Sequence, residues 1–370
     1  MAALGLGLMR LPLKSKDPTD IDFDLVCKMV DEFMAAGFNY FDTSYVYHNG
    51  ASENAIKRCV SSRYPREKFI LTSKLPTFSI TKENQVEEIF AKQLDNCGVE
   101  YFNNFLLHNI NDIRYENRVK SCRMFEHASQ WKSQGKIKNL GISFHDNAEV
   151  LDKILTEHPE IDVVQIIINY VDWESEFIQA RKCYEVIRKH GKRLIAMEPV
   201  KGGMISQLPP AGEKLLKDVE PDKSISSWAI RFVGSLDGVD VVLSGMSNLD
   251  QIRDNIETMK NFKPLSKDEI DLVMKARSIL LESGEMHTAD FSKYREISPN
   301  GIPASAVLEA YISAQLQSNP LFAAENNYYT LEKLKRKIPL ENTAFPGIDD
   351  PNISKAEKFL NQDPFATYQS

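Results

Sequence analysis

Polar side chains of several types stand at the ends of short apolar runs in this sequence. They are Asp42, Lys74, His108, Ser143, Asn169 and Glu198. A single histidine at such a position is usually a hydrogen-bonded residue of the core. Three ionisable groups of different type on consecutive runs are harder to explain by packing, and the set therefore indicates a catalytic site.

A tyrosine loop completes this pattern. Tyr47 follows Asp42 in the segment FDTSYVYHNG. A phenol has an ordinary pKa of about 10 and donates a proton poorly at neutral pH, but a nearby ammonium stabilises its anion. A carboxylate can hold that lysine charged, and a histidine can orient a carbonyl oxygen. Asp42, Tyr47, Lys74 and His108 thus predict a proton-transfer group for carbonyl chemistry, with Tyr45 as a rival phenol.

Eight apolar segments that alternate with helical patterns would position these groups. The period-3.6 pattern is clearest after Asp22, a candidate N-cap, and ends near Gly37. The predicted strands are 4–8, 39–42, 69–74, 104–108, 138–142, 162–167, 193–197 and 239–243. The predicted helices are 23–34, 86–94, 123–131, 177–187, 225–233 and 249–259.

Eight strand–helix units predict an α/β fold, a (β/α)8 TIM barrel, whose site lies at the carboxyl ends of the strands. A doubly wound open sheet is the alternative. It would favour a GxGxxG turn directly between the first strand and its helix. The chain has Gly5-Leu6-Gly7-Leu8-Met9-Arg10, without the third glycine, so the barrel is preferred.

Several motifs in order resemble the aldo-keto reductases: FDTSYVY, the lysine of LTSK, LLH, GIS and the final LSGMSNLDQIRDN. The resemblance covers roughly the whole predicted barrel. It implies hydride transfer from NADPH to an aldehyde or ketone without a metal. Tyr47 would be the general acid, Lys74 and Asp42 would tune it, and His108 would orient the substrate carbonyl.

The resemblance also implies a set of cofactor and substrate residues. Ser143 and Gln165 match positions that bind the nicotinamide carboxamide, and Gly245, Met246 and Ser247 match a phosphate clamp at a helix start. The implied cofactor residues are Gly7, Leu8, Met9, Asp42, Ser143, Gln165, Met197, Glu198, Val200, Gly202, Gly203, Gly245, Met246, Ser247, Gln251, Asp254 and Asn255. The candidate substrate residues are His48, His145 and Asn169.

Three of these positions depart from the family pattern. Gln251 stands where many members carry a basic residue for the 2′-phosphate, and Asp254 replaces the usual Glu. Met197 replaces an aromatic residue that stacks on the nicotinamide. NADP(H) is the expected cofactor, and NAD(H) is the alternative.

Residues 1–278 are expected to form the barrel and 279–370 a helical extension, with helices near 304–316 and 329–338 and a last segment that wraps the surface. One branch of the family ends in a ferredoxin-like module with the spacing CxxCxxCxxxCP. Here Thr288, Phe291, Tyr294 and Ser298 occupy the four cysteine positions, before Pro299, Gly301 and Ile302. Because such clusters need thiolates, the extension is predicted to be a degenerate module without an iron–sulfur cluster.

Composition limits the remaining possibilities. The 45 Lys and Arg against 52 Asp and Glu give a net charge of −7, which argues against a nucleic-acid partner. The apolar runs are too short for a membrane helix. Five widely spaced cysteines are typical of a reducing compartment, so a cytoplasmic monomer or homodimer with a small carbonyl or alcohol substrate is expected, without a metal.

Two other functions are compatible with the same residues. A cofactor-sensing regulatory subunit would resemble the potassium-channel β-subunits of the family, whose clamp has a stretch like residues 245–248. An NAD-dependent alcohol or sugar dehydrogenase would use the same proton-transfer group in the reverse direction, and Gln251 and Met197 favour this alternative.

Overall fold

The computed structural model describes residues 2–175, 178–283, 294, 296–297, 304–305, 307–308, 311 and 348–361. Eight parallel strands close into a barrel in sequence order, from β1 to β8. They are β1 Ala3–Gly7, β2 Tyr40–Asp42, β3 Ile70–Leu75, β4 Phe102–Ile110, β5 Ile137–Phe144, β6 Val163–Ile167, β7 Arg193–Met197 and β8 Val239–Gly245. The predicted TIM barrel is confirmed, and each predicted strand agrees within two residues at both ends.

Helices follow most of the strands, and the six predicted ones are present. The first five are α1 Phe23–Ala35, α2 Ala51–Ile56, α3 Asn84–Cys97, α4 Asp112–Arg114 and α5 Met124–Ser133. The others are α6 Ala148–Glu157, α7 Ala180–Lys189, α8 Pro210–Lys217, α9 Ile225–Gly234, α10 Leu249–Lys260, α11 Lys267–Glu282 and α12 Pro351–Asn361. Helix α7 was predicted to begin at residue 177, which lies outside the described residues.

Local capping explains where two of the helices begin. Asp22 caps α1 as predicted, since its carboxylate accepts from Leu25 N at 3.1 Å. Asp146 has a residue type that favours N-caps, but it does not cap α6. Asn147 is the N-cap of α6, and its side chain accepts from Val150 N at 2.9 Å. Asp146 instead accepts from Asp112 N at 3.0 Å, which links the two loops that follow β4 and β5.

The register between neighbouring strands determines which predicted site residues lie at the same height along the barrel axis. Gly7 at the end of β1 lies beside Asp42 on β2 and beside Gly245 on β8. On the other side of the barrel, Ser143 pairs with Gln165. The carboxyl ends of β1, β2 and β8 are therefore adjacent, as closure of the barrel requires.

Large side chains of β2, β4, β6, β7 and β8 form one cluster of the barrel core. They are Tyr40, Leu106, Val163, Ile195, Val241 and Leu243. Close packing leaves little room between β4, β5 and β6. A Cβ on Gly141 would lie 2.5 Å from both Leu106 and Val163. The barrel is thus a packed core, and its chemistry must lie at a rim.

The chain divides into two compact units. The first comprises 1–169, 181–199 and 226–265 and contains the barrel strands; the second comprises 170–180, 200–225 and 266–370. The predicted barrel boundary at residue 278 falls inside α11, so that boundary stays a prediction.

Part of the extension is visible in the second unit. Tyr294 is buried, and its phenol donates to Asp350 at 3.1 Å and accepts from Asn352 at 3.2 Å. Residues 304–305, 307–308 and 311 are helical, while the predicted helix 329–338 lies outside the described residues. Residues 351–361, expected to wrap the surface, form α12. Of the positions compared with cluster cysteines, 288, 291 and 298 lie outside the described residues.

The structure pairs two of the cysteines. Cys27 of α1 and Cys59, in the π-helical turn after α2, form a disulfide with Cα atoms 4.8 Å apart. Cys97, Cys122 and Cys183 are free and buried. The linear spacing of 32 residues did not indicate this pair, because the approach of the two segments is a tertiary contact.

Candidate active site

A buried lysine joins three of the four predicted proton-transfer residues. The Lys74 side chain is 1% exposed. Its ammonium donates to the Asp42 carboxylate, to Thr43 O at 2.9 Å and to the Tyr47 hydroxyl at 3.2 Å. All three hydrogens of the ammonium thus have acceptors. One of these acceptors is the half-buried phenol, so the arrangement can stabilise a phenolate at Tyr47.

Burial affects both charges of the Asp42–Lys74 pair. Desolvation raises the pKa of Asp42, and the adjacent ammonium opposes that rise. Desolvation also lowers the pKa of Lys74, and the Asp42 carboxylate opposes that fall. Each charge therefore offsets part of the desolvation cost of the other. Removing either one would leave a buried charge without compensation.

His108 is positioned as a neutral hydrogen-bonding group. Its Nδ1 lies 3.0 Å from Ser44 Oγ, and its ring meets the Tyr47 ring edge to face with centroids 5.8 Å apart. Burial, followed by the positive charge of Lys74, holds the pKa of His108 well below its ordinary value. Sequence reasoning missed Ser44, although it lies inside the FDTSYVY motif.

The structure distinguishes the two candidate phenols. Tyr47 accepts from Lys74, whereas the ring of Tyr45 lies 5.7 Å from Lys92 Nζ of α3. Because successive residues of the loop point in different directions, sequence proximity alone did not separate them. The arrangement favours Tyr47 as the phenol that can exchange a proton with a substrate.

Two of the predicted nicotinamide residues already have protein partners. Gln165 donates from Nε2 to Asp42 Oδ2 at 2.9 Å, so it also supports the carboxylate. Ser143 Oγ accepts from Asn109 N at 2.8 Å. Gln165 retains a second amide hydrogen and its carbonyl oxygen, and Ser143 retains its hydroxyl hydrogen. Both can therefore still bind a carboxamide.

A second buried carboxylate, which sequence reasoning missed, lies behind the lysine. Glu53 accepts from Ser73 Oγ and from Gln93 Nε2, each at 2.7 Å, and from Asn96 Nδ2 at 3.1 Å. Gln93 also donates to Lys74 O at 3.0 Å. Burial raises the pKa of Glu53. This network fixes the backbone that carries Lys74.

The three candidate substrate residues differ in their surroundings. His48 was a candidate for substrate contact, but its Nε2 accepts from Leu11 N at 3.1 Å and its Nδ1 lies 2.9 Å from Pro18 O. Both nitrogens thus bond to the segment after β1, and a substrate contact of His48 stays a prediction. Burial lowers the pKa of His145 to about 3. Asn169 is buried and donates to Glu198 O at 3.2 Å.

Several residues of the predicted phosphate clamp between β8 and α10 form hydrogen bonds within the protein. Ser247 N donates to Gln251 Oε1 at 2.7 Å, and Ser247 Oγ donates to Arg10 O at 2.7 Å. Asn255 donates to Ser244 Oγ at 2.9 Å. Gln251 therefore shapes the turn, and Asn255 ties the helix to the strand.

The other predicted cofactor residues lie on three segments. Leu8 and Met9 form a 3-10 turn after β1. Met197 ends β7, and Glu198 has a positive φ of 56°. Val200 precedes the turn Lys201–Ser206 in the second unit, where Gly202 and Gly203 have φ values of 67° and 97°. Only residues without a Cβ adopt the latter conformation easily. Met246 is buried and Asp254 half-buried.

Among the residues that the structure describes, no group of three or more His, Cys, Asp or Glu side chains could hold a metal ion. No helix in this part of the chain combines the length and apolarity needed to cross a membrane. The cytoplasmic location and the oligomeric state stay predictions.

Comparisons with known proteins show the family of this chain and relatives with a similar fold. The model of the Aldo/keto reductase family matches residues 3–278. The uncharacterized oxidoreductase YqkF of Bacillus subtilis (strain 168) is 22% identical over 301 residues, covering 73% of this chain and 90% of that protein. The holo form of aldo-keto reductase AKR11C1 from Bacillus halodurans has a TM-score of 0.59 at 21% identity, covering 74% and 91% of the chains. An aldo-keto reductase from Klebsiella pneumoniae in complex with NADPH has a TM-score of 0.59 at 15% identity, covering 74% and 90%.

Proposed function

Because this chain belongs to the aldo/keto reductase family of oxidoreductases, we propose that it reduces an aldehyde or ketone with NADPH. In this proposal, Tyr47 is the proton donor. The observation that carries it is the hydrogen bond from Lys74 Nζ to the Tyr47 hydroxyl at 3.2 Å, with Asp42 as the other partner of the ammonium.

The reaction needs a hydride and a proton. The dinucleotide, when bound, supplies the hydride. In this proposal the substrate oxygen would bind between the Tyr47 hydroxyl and His108 Nε2. Ser44 Oγ lies 3.0 Å from His108 Nδ1. In the tautomer that we propose, Ser44 donates this hydrogen bond and the imidazole proton is on Nε2, where it can bind the oxygen. As negative charge develops on that oxygen, Tyr47 donates its proton, and Lys74 stabilises the resulting phenolate.

Several residues fit a dinucleotide along the strand ends. Ser143 and Gln165 would hold the carboxamide with the donors that they retain. Gly7 and Gly245 are neighbours on β1 and β8 and bring no side chain of their own to this part of the rim. The structure of the aldo-keto reductase from Klebsiella pneumoniae was solved in complex with NADPH. This supports an NADP-type cofactor for this chain. NAD(H) is the alternative, since Gln251 is not basic.

We expect the purified full-length protein to oxidise NADPH in the presence of some members of a panel of aldehydes, ketones and sugars, because the proton-transfer group is assembled. Absorbance of the reduced nicotinamide measures turnover, with NADH in parallel. Sustained NADH-dependent turnover would transfer the cofactor assignment to NAD(H). Binding followed by a single slow turnover would favour a regulatory subunit, and absence of both binding and turnover would contradict the proposal.

We also propose that residues 279–370 form an extension without an iron–sulfur cluster. All five cysteines lie between residues 27 and 183, so the extension has no thiolate. Tyr294, at one former ligand position, instead hydrogen-bonds Asp350 and Asn352. Iron and acid-labile sulfide, measured on the purified protein, should each be far below one per chain. Stoichiometric amounts of both would contradict the proposal that residues 279–370 hold no cluster.

A further inference from the structure

We infer that Glu53 is a positioning residue of the proposed reaction. From the helix side of β3, its carboxylate holds Lys74 in place and adds a second negative charge behind the ammonium. This inference rests on the proposed function, because Lys74 acts in that reaction through Tyr47. Glu53 is the third residue of α2, and its side chain is fully buried.

Two consecutive residues of β3 connect Glu53 to the site. Because side chains alternate between the two faces of a strand, Ser73 points to the helices while Lys74 points to the phenol. Ser73 Oγ donates to Glu53 Oε1 at 2.7 Å. Gln93 of α3 donates to Glu53 Oε1 at 2.7 Å and to Lys74 O at 3.0 Å. The carboxylate therefore fixes the main chain of the lysine through two neighbours.

The first turn of α2 also supports the groups that the ammonium contacts. Ser52 Oγ lies 2.8 Å from Thr43 Oγ1, and Thr43 O accepts from Lys74 Nζ at 2.9 Å. The turn Tyr47–Gly50 leads directly into α2. Because Glu53 anchors α2 to β3 and α3, it contributes to the position of both partners of the hydrogen bond between lysine and phenol.

Glu53 also acts on Lys74 through its charge. The carboxylate accepts hydrogen bonds from three side-chain donors, and an ionised carboxylate is an acceptor only. Burial raises the pKa of Glu53, and these donors and Lys74 oppose that rise. Burial lowers the pKa of Lys74, and the charges of Asp42 and then of Glu53 oppose that fall. Glu53 thus offsets part of the desolvation of the ammonium.

The groups around this pair make an alkaline titration informative. In the described part of the chain, the ionisable groups that face Lys74 are Asp42, Tyr47, Glu53, His108 and His145. Burial, followed by positive charge, lowers the pKa of both histidines, so their rings are neutral at alkaline pH. Burial raises the pKa of the Cys97 thiol, which faces Glu53 from α3. An alkaline limb in the pH profile of kcat therefore reports Lys74 and Tyr47.

Glu53→Gln removes the charge with little change of shape, and the amide of half-buried Asn96 can rotate to accept from the new amide. For a carbonyl substrate that the wild type reduces, we expect kcat to fall about tenfold to hundredfold, as for a displaced catalytic group. The Kd of NADPH should stay close to wild type. The alkaline limb of kcat should move to lower pH by about 0.5 to 1, because ammonium and phenol both lose a proton more readily without the nearby carboxylate. Steady-state kinetics across neutral and alkaline pH measure both effects.

Two further variants separate charge, reach and folding. Glu53→Asp keeps the charge but shortens the side chain, so it should lower kcat about threefold to tenfold and leave the limb at its wild-type pH. Glu87→Gln is the matched control. Glu87 of α3 also accepts from a side chain, Trp131 Nε1 at 2.8 Å, but is not among the charges that act on Lys74. Its variant should keep the wild-type kcat and limb, and thermal unfolding shows which variants fold.

The inference is overturned if Glu53→Gln has the wild-type kcat and limb. If that variant does not fold, a wild-type kcat in Glu53→Asp overturns it. A lower kcat with an unshifted limb in Glu53→Gln overturns the role of the charge. In these cases the wild type still reduces its substrate and Tyr47→Phe still does not, so the proposed function stands. A wild type without turnover overturns the proposed function and this inference with it.

Discussion

Tyr47→Phe should lower kcat for carbonyl reduction by about a hundredfold to ten-thousandfold, the range expected when a positioned general acid is removed. The substitution deletes the hydroxyl that accepts from Lys74 at 3.2 Å and keeps the ring that packs against His108. Steady-state kinetics measure the loss. Cofactor Kd should stay close to wild type, because a ring of the same shape remains.

The matched control is Tyr45→Phe, two residues earlier in the same loop. Tyr45 lies near Lys92 rather than Lys74, so this variant should keep turnover within about threefold, as for a typical surface change. If Tyr45→Phe abolishes turnover while Tyr47→Phe retains it, the two phenols have been assigned the wrong way round. If neither variant slows the reaction, the proton comes from another group.

Lys74→Met should remove turnover and also destabilise the fold, by about 3 kcal/mol, because one partner of a buried ion pair is left alone. Asp42 is 2% exposed, and without the ammonium its raised pKa would rise further. The folded protein would then favour the protonated carboxyl. The free energy of unfolding of Lys74→Met should therefore fall as the pH rises from the ordinary Asp pKa of about 4 through the raised pKa of Asp42 in the folded protein. Urea unfolding over this pH range measures the effect.

A second substitution tests whether the uncompensated charge is the cause. The double variant Lys74→Met with Asp42→Asn carries no buried charge at this pair, so it should unfold at a higher urea concentration than Lys74→Met and lose the pH dependence. It should remain inactive. If Lys74→Met and the wild type are equally stable at neutral pH, the Lys74 ammonium does not compensate for the buried charge of Asp42.

Local sequence patterns predicted much of this protein. Alternating apolar runs and period-3.6 segments located the eight strands, because burial of one face imposes that pattern. Asp42, Lys74 and His108 stood out because polar side chains ended buried runs. The N-cap at Asp22 was equally local, as its carboxylate bonds to a residue three positions away.

Other features could not be found in this way. Asn147 rather than Asp146 caps α6, although both residue types can serve as caps. His48 bonds to Leu11 and Pro18, across 37 and 30 positions of the chain. Glu53 depends on donors from β3 and α3. In each case the decisive partner is distant in sequence, so neither residue type nor spacing identifies it.

The sequence by itself determined the barrel, the family and the set of groups available for proton transfer. Periodicity predicted the barrel, the resemblance of several ordered motifs indicated the family, and polar residues at strand ends marked the proton-transfer groups. The tertiary structure alone decided that Lys74 contacts Tyr47 rather than Tyr45, and that Ser247 bonds the backbone of Arg10. The latter contact depends on closure of β1 against β8, which joins Arg10 to Ser247 across 237 positions. Such pairings are set by the geometry of the closed sheet and leave no local pattern in the chain.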